Sequence, residues 1–364
     1  MSAVNKRYNG VQILRAVLFI GIVAFHSGVP GSQMFWGGIE VFFVISSYFL
    51  TKKLSAISAS DIEVIPYIKH RITRLMPFYY LLLIGAFLVI TVLNRTVPIG
   101  DLLIHSVFSQ NIYWMITGYK SALISFTAHT WTLSIEVYLF VVWLLAFKLI
   151  KSNRSRLIFN VVSLICALVW RVITTITIGD PMITSLCPIA HMDAFAIGSL
   201  MALSEKKLAK NIQVFKWILG VCGLTVILCS VVITSHLNGI SFGRAYILYK
   251  SSNNYLNNAL TCNVYLGFSL LTIGLVQFSR LFKAEGRISK VFVMMGNITY
   301  SAYLIHYPIM VVLKVFFDNR WFVFIATTII TVLCSIVVEK FFKMISVRLK
   351  NSPISRRKNN DSVI

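Results

Sequence analysis

Arg15 and His26 stand eleven residues apart near the start of the chain. On a helix this separation amounts to about three turns plus 20°, so both side chains face one way, about 16 Å apart along the axis. A guanidinium suits phosphate or carbonyl groups, and an imidazole takes a proton near neutral pH. The same spacing also fits an interfacial Arg that snorkels and a His that caps a loop. Further polar groups lie inside apolar stretches: Glu40, seven residues before Ser47 on one helical face; Glu136, close behind His129 and Trp131; Arg171 and Asp193; and a stripe of Thr299, Tyr303 and His306. Two carboxylates and two histidines at similar depth point to a polar cavity rather than to separate accidents. Each lone carboxylate is equally able to pair with a neighbouring helix, and Arg171 with Asp193 is expected to form a structural ion pair. The stripe, spaced four and three apart, serves hydrogen bonds between helices as well as it serves a cavity. In the basic run Lys69-His70-Arg71-Ile72-Thr73-Arg74, Arg71 and Arg74 lie one turn apart. They satisfy a topological preference or bind a phosphate-bearing donor.

The elements that position these groups belong to a membrane. The 364 residues are 57% hydrophobic and 13% charged, with a mean hydropathy of +0.78, whereas soluble domains carry about 25% charged residues. This excludes a soluble Rossmann, barrel or nucleic-acid-binding domain, despite a formal net charge of +22. Stretches of about 20 apolar residues, the length needed to cross a bilayer, fall at 11–30, 37–55, 77–95, 131–150, 157–178, 183–204, 213–235, 256–279, 291–316 and 321–345. The expected fold is an all-α polytopic membrane protein of about ten transmembrane helices. Of the 34 Lys and Arg, 26 then fall on one side, which sets both termini in the cytoplasm. A crossing by the remaining apolar stretch, 99–117, would put every later basic loop on the wrong side, so it is expected as a re-entrant or interfacial outer segment. Residues 1–345 form one membrane domain, and 346–364 a basic cytoplasmic tail expected to be disordered beside anionic lipid. The six cysteines lack C-x-x-C spacing, so neither a disulfide framework nor a metal site is expected. No small-residue cleavage site closes the first apolar stretch, and the first helix is expected to be retained.

With these motifs in order, the chain resembles acyltransferase family 3, integral membrane acyltransferases that include bacterial O-acetyltransferases of lipopolysaccharide O-antigen and other surface glycans. Arg15-x10-His26 is similar to the family's Arg-x10-His signature, and Gly38-Ile39-Glu40-Val41-Phe42-Phe43-Val44-Ile45-Ser46 to its second-helix block. Arg71-x-x-Arg74-Leu75-Met76-Pro77 is similar to its basic loop, His129-Thr130-Trp131-Thr132-Leu133-Ser134-Ile135-Glu136 to its Trp-x-Leu-x-x-Glu motif, and Tyr303-Leu304-Ile305-His306-Tyr307-Pro308 to its late helix. Ser47 stands where Gly usually follows the family serine, Glu40 where Asp is common, and His191 where an Arg often precedes the residue matched by Asp193.

The resemblance implies transfer of an acyl group, acetyl from acetyl-CoA, to a hydroxyl of a surface-glycan or lipid-linked glycan acceptor at the outer side of the bacterial cytoplasmic membrane. Acetyl-CoA is then a substrate, with no bound cofactor, and the partners are the glycan and membrane lipids. His26 is expected as general base, with Glu136 or Glu40 orienting it or stabilising its cation; Arg15 as a catalytic residue that holds the donor or polarises its thioester; Arg71 and Arg74 as donor contacts; and Glu40, Ser47, Trp131, Tyr303 and His306 as cavity or acceptor residues. The fused extracellular esterase-like domain of some members is not expected here, so the acyl group would pass directly or to another protein. Alternatives are N-acyl or succinyl transfer to a lipid-linked sugar, or a proton-coupled transporter or flippase. The last predicts inverted repeats, which the sequence does not display.

Overall fold

The computed structural model describes residues 9–94, 99–206, 210–239, 241, 255–281 and 286–350. Among these residues the regular structure is helical throughout, with no strand, as lipid requires of a chain that must satisfy its backbone hydrogen bonds internally. The helices are α1 (Asn9–Ser27), α2 (Gly38–Leu54), α3 (Val64–Asn94), α4 (Ile99–Ser106), α5 (Gln110–Thr117), α6 (Ile124–Thr127), α7 (Trp131–Leu149) and α8 (Asn153–Thr177). They continue as α9 (Pro181–Leu186), α10 (Met192–Leu203), α11 (Lys210–Asn238), α12 (Tyr255–Ser279), α13 (Arg287–Asn297), α14 (Thr299–Phe316) and α15 (Arg320–Lys350). Among the described residues, eight stretches are long and apolar enough to cross a membrane: Asn9–Ser27, Gln33–Leu54, Met76–Leu93, Ile124–Leu149, Asn153–Thr177, Gln213–His236, Thr299–Phe316 and Arg320–Met344. Shorter apolar helices over Pro188–Leu203 and Val264–Ser279 stand at the sixth and eighth expected spans. The protein is an all-α, multi-pass membrane protein.

Two apolar stretches that read as continuous are broken. The stretch 291–316 divides at Ile298 into α13 and α14. Just past the break the Thr299 hydroxyl donates back to the Met295 and Gly296 carbonyls, at 3.0 and 2.9 Å. Gly296 itself lies so close to α1 that a Cβ there would stand 2.0 Å from the Gln12 carbonyl oxygen, so a side chain would push α13 off α1. The stretch 183–204 divides into α9, a 3-10 turn at Pro188–His191, and α10, because Pro188 lacks the N–H that would continue α9. Beyond the turn α10 packs tightly on α2; a Cβ on Gly198 would lie 2.2 Å from the Val44 carbonyl oxygen.

The stretch 99–117 forms α4 and α5, each of 8 residues. At about 12 Å apiece, neither is long enough to cross a core of about 30 Å. The chain reverses between them at Phe108, whose φ is 59°. This segment is held by polar contacts to the elements beneath it. Gln110 Nε2 donates to the Thr130 carbonyl at 3.0 Å, Asn111 Nδ2 to the Leu186 carbonyl at 3.0 Å, and Tyr119 OH to the Ala128 carbonyl at 2.8 Å. His105 is fully buried, with Nδ1 2.7 Å from the Asp101 carbonyl. Burial pushes its pKa below the usual imidazole value, and the Asp101 carbonyl and carboxylate oppose that shift. Through these bonds α4 and α5 clamp the turn Ala128–Thr130, which carries His129.

At the opposite end of the bundle, Glu205 ties three elements together. Its carboxylate takes hydrogen bonds from Lys52 Nζ, Arg280 Nη2 and Tyr48 OH, each at 2.5 Å. Partial burial alone would raise the Glu205 pKa, but these bonds and the Arg280 charge hold it down at about 2. α15 continues to Lys350, past the expected domain end at 345; residues 351–364 of the expected tail lie outside the described residues.

Candidate active site

A cavity of about 390 Å³ opens between α1, α2, α3, α7 and α14. Its polar wall includes Arg15, Ser46, Arg71, Thr132, Glu136 and Tyr303, and Phe42, Phe49 and Phe140 supply aromatic surface. Lys53, Tyr67 and His70 line it near the basic end. Arg71, on the second turn of α3, reaches Glu136 on the second turn of α7: Nη2 lies 2.5 Å from Oε1, and Ser46 Oγ donates to the same oxygen. The guanidinium centre sits 4.4 Å from the Phe140 ring centroid, an arrangement that fixes its plane. Arg71 Nε is buried and has no hydrogen-bond partner among the described residues, so this guanidinium retains a donor for a bound ligand. Arg15 Nη1 donates to Gln12 Oε1 at 3.2 Å. Arg74 lies one turn further along α3, and its side chain is outside the described residues.

Beyond Tyr303 and Thr132 the polar groups continue into a cluster of imidazoles. The Tyr303 hydroxyl lies 2.9 Å from Thr132 Oγ1 and 3.1 Å from the His129 carbonyl. The His306 ring centroid is 5.2 Å from that of His129 and 5.4 Å from that of His26. Tyr307 stacks on His129 at 5.1 Å and meets His26 edge-on at 5.3 Å. Pro308, inside α14, explains one part of this geometry. Having no N–H, it leaves the carbonyl four residues earlier, that of Leu304, without its helical donor, and His129 Nε2 lies 3.0 Å from that oxygen. A carbonyl only accepts, so Nε2 carries the proton and the buried Nδ1 is left unpartnered. His306 has the opposite arrangement: Nδ1 donates to the Tyr303 carbonyl at 2.6 Å, and buried Nε2 has no partner. Two imidazoles are thereby fixed with one nitrogen each available to a substrate hydroxyl. Among the described residues no His, Cys, Asp and Glu group is arranged to hold a metal ion.

Glu40, Ser47 and Trp131, expected in the cavity, lie elsewhere. Glu40 and Ser47 do share a face of α2, as seven-residue spacing requires, but that face looks onto α10 and the turn before it. Glu40 Oε1 is 2.5 Å from His191 Nδ1, and Ser47 Oγ donates to the Phe195 carbonyl. Trp131 packs over His191 with ring centroids 5.8 Å apart. The expected pair of Arg171 Nη2 with Asp193 Oδ2 forms in the same region, both side chains fully buried. Among the described residues neither carboxylate makes a hydrogen bond or ion pair with His26: Glu40 pairs with His191, and Glu136 with Arg71 and Ser46. The residue that reaches the His26 backbone is Lys314, whose Nζ donates to its carbonyl at 2.7 Å. Tyr303 lines the cavity and His306 joins the imidazole cluster, so the α14 stripe serves both hydrogen bonding and the cavity. Ser46 and Tyr307 are given no place in the expected site, and His129 is expected in the polar cavity but without a role of its own. Their signals were adjacency to Ser47, position ahead of Trp131, and the residue after His306.

A multi-pass helical domain, with an Arg-lined cavity joined through hydroxyls to buried imidazoles, is the class of protein that fold and site define. Residues 8–340 match the acyltransferase domain family, and the chain belongs to that family, acyltransferase family 3. It is 24% identical over 367 residues to the O-acetyltransferase OatA of Staphylococcus aureus, an alignment covering 96% of this chain and 57% of that protein. It is 23% identical over 352 residues to the peptidoglycan O-acetyltransferase OatA of Listeria monocytogenes, covering 87% of this chain and 52% of that protein. The chain thus spans a little over half the length of these relatives. No solved structure matches it.

Proposed function

We propose that this protein is a membrane O-acetyltransferase that moves an acetyl group from acetyl-CoA to a hydroxyl of a cell-wall or surface glycan. The observation that carries the reading is the polar line through the bundle. It runs from Arg15, Arg71 and Glu136 in the cavity, past Thr132 and Tyr303, to His129, His306 and His26. The names of the relatives favour peptidoglycan over lipopolysaccharide as the acceptor. With both termini in the cytoplasm of a bacterial cell, the basic end faces acetyl-CoA and the imidazoles face the outer side, where the glycan is presented.

On this reading Arg15 and Arg71 hold the donor, and Arg71 Nε is the donor group kept for it. Glu136 pairs with Arg71 and Ser46 and, among the described residues, forms no hydrogen bond or ion pair with a histidine, so its role is electrostatic rather than that of a partner to the base. The acceptor hydroxyl docks among the imidazoles and loses its proton to His26, with the unpartnered nitrogens of His129 and His306 available to accept its hydrogen bond. Its oxygen attacks the thioester carbonyl; the C–S bond breaks, and CoA leaves as the thiol after taking the proton. Purified full chain supplied with labelled acetyl-CoA and a muropeptide or glycan acceptor tests this. Label in the glycan with matching release of CoA is expected. His26→Ala should lower the rate by about 10²–10⁴-fold, whereas accumulation of a solute in vesicles without transfer would sink the reading in favour of transport.

A further inference from the structure

The distribution of basic residues has two exceptions that lie beside His26. The sequence assigns 26 of the 34 Lys and Arg to the cytoplasmic side, but Lys314, in the last turn of α14, and Arg320, the first residue of α15, stand at the other end. Lys314 Nζ donates to the His26 carbonyl at 2.7 Å. That leaves two of its three N–H groups unspent. Arg320 packs against the turn that follows His26; a Cβ built on Gly28 would stand 3.7 Å from Arg320 Cδ. Gly28 has a φ of +78°, so the chain turns sharply just after His26, and this turn is what Arg320 meets. Both cations are exposed, and each acts on the other electrostatically. Among the described residues neither forms an ion pair, and Asp318, on the connection between them, pairs with neither. A cation at the first residue of a helix also has the unfavourable sign for the helix dipole. Two unpaired like charges held together beside a reactive group therefore cost stability in the empty protein, and a bound anion offsets that cost.

We propose that Lys314 and Arg320 form an anion-binding subsite that takes the carboxylate or phosphate of an acidic acceptor glycan, while His26 addresses a hydroxyl of the same glycan. This rests on the reading that the acceptor reaches the imidazoles from this end. It makes the substrate class an acidic glycan rather than a neutral one, and makes the two cations determinants of acceptor choice. The Arg fork suits a planar carboxylate or a phosphate, and the Lys supplies a point charge.

The test is binding of labelled tetrasaccharides to the full chain in phosphatidylcholine nanodiscs, read by fluorescence anisotropy. One probe bears carboxylates, one bears phosphates and one is uncharged. The parent should bind at least one acidic probe about tenfold more tightly than the neutral one, the scale of two exposed charge contacts. The preference should shrink with added salt, vanish in Arg320→Gln with Lys314→Gln, and survive in Arg320→Lys with Lys314→Arg. Arg320→Gln alone, which leaves the Lys314 bond to His26 intact, should lose part of it. No preference in the parent, or an unchanged preference in the double Gln variant, overturns the proposal. If that variant changes only how much phosphatidylglycerol co-purifies, the bound anion is a lipid headgroup and the proposal also fails. Transfer from labelled acetyl-CoA is scored in the same samples: charge-dependent binding without transfer overturns the acetyl-transfer reading and leaves the subsite standing.

Discussion

His129 and Pro308 should be coupled, because the proline creates the vacancy that the histidine fills. Leu304 offers a buried carbonyl whose helical donor is missing at Pro308, and His129 Nε2 supplies the replacement at 3.0 Å. His129→Ala removes that donor, and a buried acceptor without a partner costs about 1–3 kcal/mol. Loss of the stacked Tyr307 contact adds about 0.5–1.5 kcal/mol. Adding Pro308→Ala returns a backbone N–H to the Leu304 carbonyl, so the double variant should regain about 1–3 kcal/mol of stability over His129→Ala alone. Activity should not return with it, since the unpartnered Nδ1 remains absent. Unfolding of the four proteins in detergent, with acetyl transfer measured on each, completes the cycle. Additive stabilities within about 0.5 kcal/mol would refute the carbonyl argument, and a double variant that regains transfer along with stability would show that His129 only holds the fold.

Arg71→Lys keeps the charge but loses the plane stacked on Phe140 and the spare Nε–H; the apparent KM for acetyl-CoA should rise about tenfold with little change for the acceptor, the scale of one charge-assisted hydrogen bond. Equal KM values for parent and variant would return Arg71 to a purely topological role. Because the Glu205 pKa is lowered from 4.5 to about 2, its contribution to stability is full above pH 4.5 and is lost as pH falls towards 2. Thermal unfolding of Glu205→Gln should therefore lack that part of the acid decline. Cysteines placed at Gly100, in the first turn of α4, and at Lys120, just beyond α5, should both react with a membrane-impermeant reagent from outside; labelling from opposite faces would mean that the segment crosses.

The apolar runs were legible because lipid imposes a simple length requirement, and helices stand at all ten expected positions. What composition could not convey was where an apolar run breaks. Nothing in the hydropathy of 291–316 marks Ile298, and the close approach beside it, of Gly296 to α1, is a contact between segments nearly three hundred residues apart. The breaks also matter to function, since α14 starts at Thr299 and carries Tyr303 and His306 on the stripe that its spacing predicts.

Spacing fixed which side chains share a helical face but not what that face meets. Glu40 and Ser47 are aligned on α2 as expected, yet the aligned face is committed to His191 and Phe195, while the residue next to Ser47 lines the cavity. Arg15 and His26 are likewise aligned on α1, and there the face follows the polar line from cavity to imidazoles. The difference is one of neighbours: α10 comes close enough to α2, through Gly198, to absorb one pair of polar groups. The face of α1 instead meets α14, where the proline-freed carbonyl draws in His129. A carboxylate beside the histidines would have supplied an obvious partner to orient the base. Its place is taken by backbone carbonyls, which hold His129 and His306 with fixed protonated nitrogens and add no charge, and a sequence read only for ionisable side chains has no means of registering such partners.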